Sequence, residues 1–180
     1  MNICVYAASG RELAAEYYEC AERLGRLMAR QGHRLIFGGG CEGLMGACAR
    51  GVRSEGGHIT GIAPHFFDSP GVLYSGCDEF IYTDTMRQRK QLMEEKADAF
   101  IVLPGGIGTY EEFFEILTLK QLGRHSKPIA LVNLLGYYEP VRLLLEHTAR
   151  EKFMKESCLG LCSFCSDEEE ALLHCVSNMG

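Results

Sequence analysis

Apolar, strand-like runs alternating with amphipathic stretches predict an α/β fold, one parallel sheet covered by helices on both faces. Two further observations support that class. Several apolar runs stop at glycine or proline, most plainly at Gly38-Gly39-Gly40 and Pro104-Gly105-Gly106, as strands do when they turn into helices. The intervals between runs are long enough for right-handed crossovers. With 180 residues and 47% hydrophobic content, the chain is expected to form a single domain over residues 1–180.

In order along the chain, Asn2 to Ala8 reads as a short β strand, and Arg11 to Arg30 as an amphipathic helix closed by Gln31-Gly32. His33 to Phe37 is a second strand, breaking at the three glycines, after which Leu44, Met45, Ala47, Cys48 and Val52 recur at helical spacing. His58 to Ala63 is a third strand ending at Pro64, and Thr83 to Lys96 is a polar helix leading into the strand Ala99 to Leu103. Thr109 to Leu122 reads as a helix stopped by Gly123, Pro128 to Val132 as a strand, and Tyr138 to Arg150 as a helix. The tail repeats the pattern weakly.

Composition removes several function classes. The net charge of −6 is the wrong sign for a general nucleic-acid or anionic-membrane surface, and no apolar run is long enough to span a bilayer. With no secretory pattern at MNICVYAASG, the expected location is the cytoplasm. The nine cysteines are odd in number and scattered through apolar runs, so reduced, buried thiols are expected. Cys162-Ser163-Phe164-Cys165 has ligand-like spacing but lacks a second pair and alternates as a strand would, so no metal site is expected.

In parallel sheets ligands sit beyond the carboxyl ends of strands, which directs attention to the glycine-rich turns. In the first, Gly38 to Gly46, glycines let the backbone approach a ligand while unpaired N–H groups at a helix start face an anion. A tight turn with close helix packing explains the same residues. The second, Pro104 to Glu112, repeats the device and adds Glu111 and Glu112. Here Thr109 and Glu112 match the capping box T-x-x-E, which alone accounts for both the threonine and a glutamate, though not for three preceding glycines. Glu112 shares a helical stripe with Ile116 and Leu119, tilting it towards the sheet, whereas Glu111 lines up with Glu115 and Thr118. Upstream, Arg87, Arg89 and Lys90 lie in the first turns of a helix, where cations oppose the dipole and invite a bound anion. Arg89 points away from the other two.

Together GGGxxGLMG at Gly38 to Gly46, MxxRK at Met86 to Lys90 and PGGxGTxxE at Pro104 to Glu112 resemble the LONELY GUY family, cytokinin riboside 5′-monophosphate phosphoribohydrolases often mislabelled lysine decarboxylases. The similarity extends from Val5-Tyr6 through Gln121-Leu122-Gly123 and Lys127-Pro128 to Gly136-Tyr137-Tyr138. It implies a Rossmann-like fold, a homodimer with active sites near the subunit interface, hydrolysis of the N-glycosidic bond of a nucleoside 5′-monophosphate, and no cofactor. By motif it carries a catalytic pair onto Arg89 and Glu112, and nucleotide contacts onto Lys90, Gly105, Gly106, Ile107, Gly108, Thr109, Tyr110, Glu111 and, one stripe away, Thr118. In the first loop the corresponding contacts are Gly39, Gly40, Gly43, Met45 and Gly46, with Ser9 beyond the first strand. Two departures stand out. Ala8-Ser9 replaces a frequent Gly-Ser, and the connection from Pro64 to Cys77 lacks a glutamate that plant members carry.

The chemistry fits the residue types. Ribosyl C–N cleavage passes through an oxocarbenium-like state, for which a carboxylate facing the sugar and a cation facing the leaving base or anionic substrate are complementary. Phe66, Phe67, Met86 and Met93 are candidates for an apolar base pocket. The rival reading is a carrier or sensor of a nucleotide or similar phosphate ligand on the same fold, which has no need of Arg89 with Glu112. A pyridoxal-dependent decarboxylase lacks a recognisable Schiff-base lysine, and a nicotinamide enzyme lacks GxGxxG after the first strand.

Overall fold

The computed structural model describes residues 1–178. In chain order the elements are β1 (Asn2–Tyr6), α1 (Ala15–Arg30), β2 (Arg34–Phe37), α2 (Gly43–Ser54), β3 (Ile59–Pro64), β4 (Glu79–Thr83), α3 (Met86–Lys96), β5 (Ala99–Val102), α4 (Ile107–Gln121), β6 (Ile129–Val132), α5 (Glu139–Arg150), β7 (Ser163–Cys165) and α6 (Glu168–Ser177). Short 3-10 turns at His65–Phe67, Leu134–Gly136 and Glu156–Leu161 fill the connections.

The seven strands form one sheet in the order β4-β3-β2-β1-β5-β6-β7, with every pairing parallel. This is the expected α/β, Rossmann-like architecture. The chain winds outward from β1 to β4, then crosses back to place β5 on the other side of β1. That reversal leaves a crevice above the carboxyl ends of β1 and β5.

Alternation along β1 sorts the core. Ile3 and Val5 join Leu24, Met28, Leu44 and Val52 on the α1, α2 and α6 side, while Cys4 and Tyr6 join Met93, Phe113, Ile116 and Val141 beneath α3, α4 and α5. Helices α1 and α2 meet backbone to backbone. A Cβ on Gly25 would lie 2.2 Å from the Cys48 carbonyl oxygen, and one on Gly51 would lie 2.2 Å from that of Glu22.

Several expectations change. Glu79–Thr83 is a strand not among those expected. It is a five-residue edge strand whose run Phe80-Ile81-Tyr82-Thr83 does favour a strand, but reading Thr83 as the start of the following helix leaves only three residues of that run. The first helix begins at Ala15, four residues later than Arg11, because residues 8–14 form a loop over the crevice. Cys162 and Cys165 are buried in opposite core layers, as strand alternation requires and a shared ligand would not allow. The largest correction concerns the start of α4. Its N-cap is Gly106 and no side chain caps it, so Thr109 and Glu112 do not form a capping box. The capping box lies instead on α3, where the Thr85 hydroxyl accepts from the Gln88 amide and the Gln88 side chain accepts from the Thr85 amide.

Candidate active site

The crevice is a cavity of about 810 Å³, within the range for a small-molecule site. One wall is the segment Pro104 to Thr109 that follows β5, and the other comprises Ala7 to Gly10 after β1 with Gly38 and Gly40 after β2. The connection Gly71 to Leu73 closes over it, held by a bridge between Gly40 and Leu73 and by the Cys41 amide donating to the Val72 carbonyl at 3.0 Å.

At the floor, Arg89 from α3 meets Glu112 from α4, Nη1 to Oε1 at 2.7 Å, with both side chains about nine-tenths buried (8% and 10% exposed). The Arg89 Nε also donates to the Ile62 carbonyl at 3.2 Å. The guanidinium fits because residue 38 is glycine, since a Cβ there would stand 2.3 Å from Arg89 Nη2. Burial pushes the Glu112 carboxyl above the ordinary carboxylate range, and the Arg89 charge pulls it part of the way back. Beneath the pair, burial holds the Tyr6 phenol well above its usual range and keeps it neutral.

The cavity wall opposite the first loop is built of N–H groups. Among the described residues no acceptor meets the backbone amides of Gly105, Gly106, Ile107, Gly108 or Thr109, while the Tyr110 amide makes the first helical bond, to Gly106 at 3.0 Å. Uncapped amides at the positive end of a 15-residue helix form an anion-accepting surface. Gly105 is required by the turn itself, because its Cβ would lie 2.1 Å from Thr109 Oγ1.

Of the residues singled out in the sequence, Arg89, Glu112, Gly105, Gly106, Ile107, Gly108, Thr109, Gly40, Met45 and Ser9 line this cavity, and Phe67 and Met86 add an apolar rim. Others stand behind it. Gly39 packs under Phe80, Gly43 adopts φ +59 against the Ala8 carbonyl, and Gly46 presses on the Cys41 carbonyl. Met93 is core, and Phe66 is exposed beside Phe67. Lys90 turns away to bridge Glu111 and Glu115, the latter at 2.8 Å. Burial alone would lower its ammonium, but the two carboxylates outweigh it and hold it above the usual lysine value. Two of the three cations early in α3, Arg89 and Lys90, are thus met by carboxylates of α4, where the sequence suggested an external anion, while Arg87 makes no ion pair among the described residues. Tyr110 packs edge-on to Tyr138, and the Thr118 hydroxyl donates to the Phe114 carbonyl at 2.7 Å outside the cavity.

Sequence reasoning gave no role to Tyr17 and Tyr137, which pack edge-to-face at 6.0 Å on the cavity wall, or to Arg11 and Glu42, paired at its rim at 3.5 Å. Only the Gly136-Tyr137-Tyr138 match hinted at the first pair.

A family model described as "possible lysine decarboxylase" matches residues 45–175. The chain is 40% identical over 172 residues to a cytokinin riboside 5′-monophosphate phosphoribohydrolase of Rhodococcoides fascians, covering 95% of this chain and 87% of that one. It is 36% identical over 175 residues to the protein of the same name from Mycobacterium tuberculosis, covering 97% and 93%. Among solved structures, a molybdenum cofactor binding protein from Rippkaea orientalis superposes with TM-score 0.73 over 98% of this chain and 95% of that one, at 22% identity, which speaks to fold alone. On the family match and on the identity shared with relatives along nearly its whole length, the chain belongs to the LONELY GUY family of cytokinin riboside 5′-monophosphate phosphoribohydrolases.

Proposed function

We propose that the protein hydrolyses the N-glycosidic bond of a purine riboside 5′-monophosphate, releasing free base and ribose 5-phosphate. The observation that carries this reading is the buried Arg89–Glu112 pair opening onto a cavity whose facing wall is a row of unbonded amides. The activity printed for the relatives from Rhodococcoides fascians and Mycobacterium tuberculosis supports it. In this reading the 5′-phosphate lies on the amides of Gly105 to Thr109, which fixes the ribose over Glu112. Glu112 holds the ribose hydroxyls or the attacking water and stabilises the sugar cation. Water oxygen bonds to the anomeric carbon, the carbon–nitrogen bond breaks with its electrons moving to the base, and the base leaves with a proton. Arg89 favours the ionised form of the carboxylate against the effect of burial and faces the negative charge of the departing base.

The apolar side of the cavity, with Phe67, Val72, Leu73 and Met86, suits an adenine carrying an apolar N6 substituent. Ser9, Gly40 and Met45 are assigned to contacts with the base and sugar; Gly39, Gly43 and Gly46 support the wall behind them, and Lys90 with Glu111 ties α3 to α4. A homodimer is the proposed assembly. The cytoplasm is the proposed location, in keeping with nine free thiols, most of them buried.

Chromatographic measurement of free base from AMP and from an N6-isopentenyl analogue tests the activity. The wild type is expected to release base, and Glu112→Gln to lose about 10²–10³-fold in kcat while keeping its circular dichroism spectrum. Near wild-type turnover in Glu112→Gln would overturn the assignment, and tight nucleotide binding without cleavage would favour a carrier.

A further inference from the structure

The segment that would receive the phosphate has an unusual bonding pattern on its carbonyl side. Four successive carbonyls are each occupied: Leu103 accepts from the Tyr138 hydroxyl at 2.6 Å, Pro104 from the Ala8 amide at 3.1 Å, Gly105 from the Tyr137 hydroxyl at 2.7 Å, and Gly106 from the Tyr110 amide at 3.0 Å. Two of the four donors are consecutive tyrosines delivered by one turn beyond the neighbouring strand β6. That turn is tightly specified. The Asn133 amide donates to the Cys165 carbonyl at 2.7 Å, and its side-chain oxygen accepts from the Tyr138 amide at 2.6 Å. Between them Leu135 (φ 53) and Gly136 (φ 75) are both left-handed. A left-handed leucine that is 70% exposed is strained and gains little packing, so the strain serves the placement of Tyr137 and Tyr138.

We propose that Tyr137 is a positioning residue: its hydroxyl locks the Gly105–Gly106 peptide so that the bound anion meets the Gly106 N–H and not the Gly105 carbonyl. The proposal rests on the reading that these amides receive a phosphate. The physical argument is the antiparallel geometry of a planar trans peptide, in which the carbonyl and the N–H point in opposite directions. Pinning the oxygen therefore aims the amide. This peptide needs pinning more than any other in the loop, because glycine stands on both sides of it. A flip turns ψ of Gly105 and φ of Gly106 by about half a turn, taking Gly106 from φ −91 to a positive value that glycine alone accepts readily. Flipped, the carbonyl dipole would point its negative end at the ligand. Tyr137 is held for the task by edge-on contacts with Tyr17 at 6.0 Å and Tyr138 at 5.1 Å. Burial, aided by Tyr110, pushes its phenol up to about 12, so it stays a donor at neutral pH. Tyr138, fully buried, does the same for Leu103 as part of the core.

The test is a double-mutant cycle read by calorimetric binding of ribose 5-phosphate, with phosphate-free adenosine as the comparison ligand. Tyr137→Phe keeps the ring and removes the donor. It is expected to weaken ribose 5-phosphate by about tenfold while changing adenosine less than about twofold and the melting temperature little. Gly106→Ala disfavours the flipped peptide, since a Cβ there meets nothing within 4 Å at the native φ but is strained at positive φ. In the Gly106→Ala background the loss from Tyr137→Phe is therefore expected to shrink to about a third or less. Equal losses in both backgrounds, or equal losses for both ligands, would overturn the proposal. Binding needs no turnover. A protein that cleaves no nucleotide but shows the cycle would fail the hydrolase reading alone, and one that cleaves nucleotides with additive losses would fail this inference alone.

Discussion

In the loop after β2 the glycines stand in filled space, whereas those after β5 stand largely in the open. A Cβ on Gly38 would lie 2.3 Å from Arg89 Nη2, on Gly40 2.6 Å from the Met45 methyl, and on Gly46 1.9 Å from the Cys41 carbonyl oxygen. After β5 only Gly105 is crowded, by Thr109, while Gly106 and Gly108 have nothing within 4 Å. Both stretches begin a helix at a strand end and both read as phosphate cradles in sequence. The first owes its glycines to close packing and to the room Arg89 needs; the second keeps side chains away from bare amides. Similar glycine patterns can thus answer different physical demands, and the contacts a Cβ would make tell them apart.

The comparison breaks most visibly at Gly46. If this glycine exists for packing, Gly46→Ala must displace the Cys41 backbone, costing about 2–3 kcal/mol, or roughly 5–10 °C in melting temperature. Scanning calorimetry measures this directly. A melting point within about 1 °C of wild type, with impaired nucleotide binding instead, would return Gly46 to the role its motif suggested.

Gly38→Ala sharpens the contrast from the other side, because its Cβ meets the end of a side chain that can move. The fold should survive, but the guanidinium must leave its place beside Glu112. We expect kcat/KM to fall about 10–100-fold, the scale of a misplaced catalytic group. The pH profile carries the sign. Burial raises the Glu112 carboxyl and Arg89 lowers it, so moving the cation away lets the value climb further. Activity that requires the ionised carboxylate then falls away at a higher pH than in the wild type. An unmoved acid limb would show that Arg89 does not set the ionisation of Glu112.

How far the sequence discloses this site depends on the range of the interaction. Strand and helix order along most of the chain was legible because burial imposes local periods, and Arg89 and Glu112 were legible through their motifs. Thr109 and Glu112 misled, because T-x-x-E describes a local hydrogen-bonding possibility that burial against Arg89 overrides. Thr85 and Gln88 form the capping box that the T-x-x-E pattern suggested for α4. Strand β4 was missed although Phe80-Ile81-Tyr82-Thr83 favours a strand, because reading Thr83 into the next helix shortened the run to three residues, and the cover Phe80 gives to Gly39 and Gly61 is not local. The Tyr137 and Tyr138 hydroxyls act on carbonyls 32 and 35 residues away, and no local pattern encodes such a bond.

Gly108 carries the smallest effect and separates ligand from packing most cleanly. It is the second residue of α4, exposed, at negative φ, with open space where a Cβ would go. Nothing in the fold requires glycine there, and glycine in a helix costs about 0.5–1 kcal/mol relative to alanine. Gly108→Ala should therefore raise the melting temperature by about 1–4 °C. If the bare amides exist to admit a phosphate, the same methyl should crowd the ligand and weaken ribose 5-phosphate binding by a few-fold, on the order of 1 kcal/mol. Stability and affinity moving in opposite directions is the signature of a position kept as glycine for its ligand. A variant that gained stability and bound as tightly as wild type would place the phosphate elsewhere along the loop.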